Sequence, residues 1–250
     1  MNPLLVCDQL HYHFPGSSQA ALAGASLTVA AGQRVVLLGR NGAGKSTLLL
    51  HINGLLRPNA GTIQVEGQTI AYHRRGLNAL RRRVGLILQN PDEQLFSASV
   101  AQDISFGPLN LGLSVAAAEE RVAHAAELCG VGALLDRPTH ALSGGEKTRV
   151  ALAGVLAMQP KLILADEVMA GLDPWMRQQL FTILNQLVAQ GTSIILATHD
   201  LDIARHWADV VAVMDQGRVV ALAPPATIFG DATLVALLGP RAPWGEMKAR

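Results

Sequence analysis

Aromatic side chains are scarce in this 250-residue chain: five Phe, three Trp and two Tyr amount to 4%. Cysteine is scarcer still. Cys7 and Cys129 stand alone in their neighbourhoods, which excludes a disulfide framework and a clustered thiolate metal site and suits a reducing cytoplasm. Each reads as a small buried apolar residue. The eight histidines are scattered apart from His11 and His13, which sit two apart on a predicted strand and read as a solvent-facing pair. Charge of either sign is low, with 20 basic and 19 acidic residues giving a formal net charge of +1, so charge alone argues neither for nor against a nucleic-acid partner. With half of the residues hydrophobic and only 16% charged, disorder is excluded. Also lacking is any run of roughly 20 apolar residues of the kind that spans a bilayer. The best stretch, near 150–165, is interrupted by Pro160 and Lys161, and the apolar C-terminal stretch contains Pro224, Pro225 and Asp231. The opening MNPLLVCDQL reaches Asp8 almost at once, so no signal peptide is expected. There is no internal repeat and no low-complexity linker.

What is present is an alternation of strand and helix signals. Residues 27–38 end in the apolar run VVLL and read as a buried strand feeding a glycine-rich turn. Residues 45–56 have helical character and stop at Arg57-Pro58. A hairpin is expected over 61–70 with its turn at Gly67, a short strand over 84–89, and a helix over 114–130 capped by Ser114. The runs at 161–167 and 192–200 read as central strands of a parallel sheet, and 210–222 as two strands around Gln216-Gly217. This order predicts an α/β core with a β-rich edge and a helical insertion at about 95–155. Ligands of open parallel sheets bind at the carboxyl ends of the strands, so the polar ends of the 84–89, 162–167 and 194–199 strands should converge.

The stretch GRNGAGKST, Gly39, Arg40, Asn41, Gly42, Ala43, Gly44, Lys45, Ser46 and Thr47, lies between a predicted strand and a predicted helix and fits a P-loop. Its glycines let backbone N–H groups point at phosphate oxygens, and the helix N-terminus adds positive potential. Lys45 can reach the β- and γ-phosphates of ATP and the Ser46 hydroxyl can ligate Mg²⁺. The strand LILADE ends in Asp166, a second anchor for Mg²⁺, and Glu167, which can polarise the attacking water. Gln89 and His199 end two further strands of the converging set; Gln89 can touch the metal or the water and His199 the γ-phosphate. A second phosphate-type helix N-terminus occurs at LSGGE, through Ser143, Gly144, Gly145 and Glu146. One chain thus carries two such sites and one P-loop, and an economical explanation is that two chains complete each other's sites. An ordinary helix cap is the bland alternative.

P-loop, Gln89, LSGGE, LILADE, AGLDP at 170–174 and His199 follow one another in an order and spacing that resembles the ABC ATPases, over nearly the whole chain. The resemblance implies an α/β fold with a P-loop NTPase (RecA-like) core over 1–94 and 156–250, an antiparallel β edge subdomain, and an α-helical subdomain over 95–155, all within one domain. It implies ATP hydrolysis with Mg²⁺, and a head-to-tail dimer of identical or paralogous chains in which Ser143–Glu146 and Asp173 act in trans. It also implies an aromatic stacked on adenine: Phe14 is the first choice and Tyr12 the second. Three positions depart from the family pattern. Glu146 replaces the usual Gln, Val168-Met169 the usual Pro-Thr, and Ile87 an aromatic. None removes a phosphate or metal ligand, so hydrolysis should survive, while Glu146 is expected to weaken closure.

Between Gln89 and Ser114 the sequence QNPDEQLFSASVAQDISFGPLNLGLS is similar to the ATPases of energy-coupling factor importers, especially their cobalt and nickel branch, as is APPATIFGD near the C-terminus. That implies a peripheral protein on the cytoplasmic face of the cell membrane, powering uptake of a transition-metal ion, cobalt first and nickel second. A vitamin importer and a non-transport ABC ATPase are the alternatives. Membrane subunits should dock near residues 89–112, where Pro91, Gly107 and Pro108 read as loop. The arginines at 74, 75, 81, 82 and 83 lack interleaved aromatics beyond Tyr72 and read as a solvated face near lipid headgroups or a partner, not as a nucleic-acid surface. A DNA- or ribosome-directed ABC ATPase would need a long insertion or a second ATPase domain. A P-loop kinase or GTPase would not carry LSGGE, and a non-catalytic regulator would not need Lys45, Asp166, Glu167 and His199 together.

Overall fold

The computed structural model describes residues 3–239; residues 1–2 and 240–250, the ends of the expected 1–250 domain, lie outside them. In chain order the strands are β1 (Leu5–His13), β2 (Ala20–Val29), β3 (Arg34–Leu38), β4 (Ala60–Val65), β5 (Gln68–Thr69), β6 (Val84–Ile87), β7 (Leu162–Asp166), β8 (Ser193–Thr198), β9 (Val210–Asp215) and β10 (Arg218–Ala223). The helices are α1 (Lys45–Ile52), α2 (Arg74–Arg81), α3 (Val100–Asn110), α4 (Val115–Leu128), α5 (Gly144–Leu156), α6 (Pro174–Ala189), α7 (Leu201–His206), α8 (Pro225–Gly230) and α9 (Ala232–Leu238).

Two sheets form. One is antiparallel in the order β2-β1-β4-β5, and the other runs β10-β9-β3-β8-β7-β6, parallel except for the β9–β10 hairpin at its edge. The central strands are buried on both faces, which is why they read as continuous apolar runs. Successive residues go to opposite sides. Val36, Leu38, Ile163, Ala165, Ile194 and Leu196 pack with α3 to α7. Val35, Leu37, Leu162, Leu164, Ile195 and Ala197 pack with α1, β1 and β2. Among the described residues no helix is long and apolar enough to cross a membrane.

Several boundaries differ from the sequence reading. Residues 27–38 are not one strand: the chain turns at Ala30–Gln33 and passes from the antiparallel to the parallel sheet. The helix expected over 45–56 ends at Ile52, because Gly54 adopts φ +75 and the Leu55 and Leu56 N–H groups both bond the Leu50 carbonyl. The strand expected to reach residue 89 stops at Ile87; beyond it the Gln94 side chain accepts from the Leu88 N–H (3.1 Å) and donates to the Leu86 carbonyl (3.2 Å) in place of a neighbouring strand. Gly107 and Pro108 do not make a loop but lie inside α3. Pro108 falls in the last turn, where the helix forgoes only the bond to the Ile104 carbonyl. Gly107 is there for contact, since a Cβ would sit 2.7 Å from the Met158 side chain. The helix over 114–130 forms as α4 with Ser114 as its cap, its side chain accepting from the Ala117 N–H. Ala118, Val122, Ala125 and Ala126 form its buried stripe.

Candidate functional site

The site grows from the carboxyl ends of β3, β7 and β8, which lie side by side in the sheet. After β3 the loop over Gly39–Gly44 closes tightly. Gly44 holds φ +102 and a Cβ there would meet the Ala21 carbonyl at 2.7 Å, so only glycine fits. The loop leads into α1, whose first residue is Lys45. The Lys45 ammonium is buried, donates to the carbonyls of Gly39 (2.8 Å) and Arg40 (3.5 Å), and lies 3.8 Å from Glu167 Oε1. Ser46 and Asn41 stand exposed at the loop's mouth.

β7 delivers Asp166 and Glu167 to the same place. Asp166 is buried and its Oδ1 finds no hydrogen-bond donor among the described residues. Burial pushes its pKa up, opposed by the Ser46 hydroxyl, with Glu167 raising it further and Lys45 lowering it. An orphaned carboxylate oxygen next to a hydroxyl is a donor set suited to a hard, oxygen-seeking cation such as Mg²⁺. Glu167 has left the strand conformation for φ +49, an unfavourable region for a side-chain-bearing residue, and is held there by its N–H bonding the Ala197 carbonyl at 3.0 Å. Its carboxylate lies 3.1 Å from His199 Nδ1. His199 follows β8 and is largely exposed. The turn beneath it is fixed: the Asp200 N–H donates to Thr198 Oγ1 (3.1 Å), and Asp200 caps α7 while pairing with Arg177 at 3.2 Å.

A cleft of about 550 Å³ joins these groups, lined among others by Phe14, Lys45, Ser46, Gln89, Asp166, Glu167 and His199. That size suits a small-molecule ligand. Phe14 is 43% exposed at the cleft wall. Tyr12, the second choice of aromatic, is not part of that wall: it is half-buried in β1, edge-on to His51 (4.6 Å) and to Phe14 (5.1 Å). Ser17, Gln19 and Ala21 also line the cleft and were not expected; the Gly16–Gln19 turn signal marks a loop but nothing in it points to a site.

The segment Ser143–Glu146 and Asp173 do not join this cleft within one chain. Gly144 and Gly145 border a separate hollow of about 400 Å³, and Gln89 and Ala170 border both. Ser143 caps α5, and Asp173 caps α6 by accepting from the Met176 N–H at 2.9 Å. Glu146 does not extend into solvent as a free charge. It folds back in a capping box, accepting from the Ser143 N–H (2.7 Å) and hydroxyl (2.9 Å), and pairs with Arg137 at 3.2 Å. The two Ser143 hydrogen bonds, and then the cations of Arg137 and Arg149, hold its carboxyl below the usual carboxylate range.

A family model described as ABC transporter matches residues 22–170. The chain is 48% identical over 243 residues, 97% of its length and 86% of the relative's, to the cobalt import ATP-binding protein CbiO of Rhodobacter capsulatus. It is 43% identical over 234 residues, 94% of its length and 75% of the relative's, to the energy-coupling factor transporter ATP-binding protein EcfA of Methanothermobacter thermautotrophicus. Among solved structures it is similar to cbiO1 of Clostridium perfringens, described as part of the ABC transporter complex cbiONQ, with a TM-score of 0.82, 40% identity and 97% of each chain covered. The ADP conformation of an ABC transporter's ATP-binding cassette superposes with a TM-score of 0.81 at 25% identity, covering 96% of this chain and 100% of that one.

Proposed function

The chain belongs to the ABC transporter ATP-binding family as the ATPase subunit of an importer of the CbiO/EcfA type, and from that premise we propose that it powers uptake of a transition-metal ion, cobalt first and nickel second. A vitamin importer of the same architecture is the second reading; the likeness to energy-coupling factor EcfA ATPases supports that architecture for either cargo. The observation that carries the catalytic reading is the single cleft in which Lys45, Ser46, Asp166, Glu167 and His199 meet from three adjacent strand ends, with Phe14 on its wall.

In that cleft the P-loop amides and Lys45 cradle the β- and γ-phosphates of ATP, and Phe14 takes the adenine face. Asp166 and Ser46, with Gln89, would hold Mg²⁺, and the ion when bound would supply charge neutralisation on the phosphate oxygens. Glu167 orients a water and takes its proton as the water oxygen bonds to the γ-phosphorus and the bond to the bridging oxygen breaks, releasing ADP and phosphate. His199 steadies both Glu167 and the γ-phosphate. The protein's contribution is positioning and charge neutralisation.

Two copies pair head to tail, so that Ser143–Glu146 and Asp173 of one copy close over the nucleotide of the other. The separation of these residues from the cleft within one chain supports this reading. Membrane subunits dock at a groove of about 610 Å³ between α2, α3 and α5, whose walls include Leu86, Leu88, Phe96, Phe106 and Met158. Phe96 is 64% and Phe106 50% exposed, and they meet edge to face at 4.7 Å. Their exposure favours a partner surface over the reading that Phe96 fills the insertion's own core, whereas Leu95 does pack inward. So placed, the chain works on the cytoplasmic face of the membrane as a peripheral subunit. The test is reconstitution with the membrane subunits that co-purify with it, measuring ATP-dependent uptake of cobalt, nickel and vitamins into vesicles. Cobalt uptake lost in a Glu167→Gln complex supports the proposal; uptake of a vitamin and no metal replaces it with the second reading.

A further inference from the structure

Glu146 suits its helix, as the third-residue acid of a capping box, but puts a negative charge at a helix N-terminus that, in the function proposed above, faces a triphosphate. Its carboxylate is fully engaged. Oε2 accepts both the backbone N–H and the hydroxyl of Ser143, and Oε1 accepts from Arg137 Nη1 at 3.2 Å. The other guanidinium nitrogen of Arg137 donates to the Ala141 carbonyl at 2.8 Å, so the guanidinium is braced from two sides. The Arg137 backbone is fixed independently, its carbonyl accepting the first N–H of α3 from Val100 at 3.0 Å.

We propose that Arg137 is a positioning residue for the composite ATP site: through its pairing with Glu146 it neutralises the charge that the capping carboxylate would otherwise present to the partner's γ-phosphate. The inference rests on the head-to-tail reading, because within one chain Ser143 is remote from the cleft. Without Arg137 the carboxylate keeps its capping bonds but presents a bare negative charge to an incoming phosphate. With Gln at 146 there is no charge to offset, and the side-chain oxygen can still accept from Ser143, so Arg137 becomes dispensable. An exposed ion pair of this kind contributes little to stability, and its loss leaves the fold intact while removing the electrostatic role.

The test is ATP-driven dimerisation of the full chain, followed by sedimentation in a Glu167→Gln background that retains unhydrolysed nucleotide. Added Arg137→Gln should weaken the dimer roughly fourfold per site at low salt, the factor for two unit charges about 5 Å apart in water. The difference should vanish at high salt, where such exposed charges are screened. Arg137→Lys should restore most of it, Glu146→Gln should tighten the dimer, and Arg137→Gln should have no further effect once Glu146→Gln is present. An Arg137→Gln effect that is absent, insensitive to salt, or equal with and without Glu146 overturns the role of Arg137 alone. Absence of any ATP-driven dimer, even without changes at 137 or 146, overturns the head-to-tail reading and this inference with it.

Discussion

Replacing Glu167 by Gln isolates the chemistry of one atom pair. The carboxylate is 12% exposed, with Oε1 3.8 Å from Lys45 Nζ and Oε2 3.1 Å from His199 Nδ1. Gln has the same shape, tolerates φ +49 no better or worse, and keeps one oxygen to meet His199, so the cleft should retain its form. What disappears is the negative charge and the capacity to take a proton. Removing a positioned general base costs about 10²–10⁴-fold in turnover. Affinity for MgATP should hold or improve, because an anion facing the phosphates is gone. Steady-state phosphate release measures the first effect, and retention of unhydrolysed ATP on a gel-filtered dimer the second. Turnover within a few-fold of the unaltered chain would refute the assignment of Glu167, since no other carboxylate among the cleft-lining residues except the metal-facing Asp166 could replace it.

Three further outcomes are expected. Phe14→Ala should raise the KM for ATP by about 5- to 160-fold, the range for loss of one base–aromatic stack, whereas Tyr12→Ala should lower thermal stability through lost packing on His51 and leave KM nearly unchanged. Asp209 is held below its ordinary pKa of 3.8 by its hydrogen bonds from Arg34, so its contribution to stability is complete above that value and lost as pH falls through the lower folded-state value; Asp209→Asn should flatten that acid limb of a thermal-melt series, and an unchanged limb would dismiss the pair. A cysteine at the exposed Ala98, in a chain whose Cys7 and Cys129 are replaced, should cross-link to a membrane subunit with a yield that changes when ATP is added; intact, active complex that never cross-links there would place docking elsewhere.

Where a motif is written in consecutive residues, the sequence locates it in the fold. The P-loop, Asp166-Glu167 and His199 each end a strand whose burial on both faces makes it stand out, and the sheet then aligns those ends without help from side-chain detail. Long-range choices were not legible. Tyr12 and Phe14 are two apart, and which of them reaches the cleft is set by where β1 ends: Tyr12 is still paired within the strand, while Phe14 follows its last residue, His13, beyond a register shift between Tyr12 and His13. Gly107-Pro108 carries the signature of a loop, and only the pressure of Met158 against Gly107 reveals a helix packed closely on its neighbour. The contact of Arg137 with Glu146 spans nine residues, from the segment before the short helical turn at Thr139–Ala141 to the first turn of α5, so the sequence shows the unusual acid and not the base that offsets it.

The claim that two copies share each active site is tested most directly by where paired lesions fall. One mixed dimer carries Lys45→Ala in one chain and Ser143→Arg in the other; a second carries both changes in one chain and none in its partner. If Ser143 acts across the interface, the first dimer concentrates both defects in one site and leaves the other complete. It should trap one nucleotide per dimer with vanadate, while the second dimer, with one lesion in each site, should trap none. The opposite pattern, trapping by the second dimer and none by the first, would show that each chain works with its own Ser143 and would contradict the shared site.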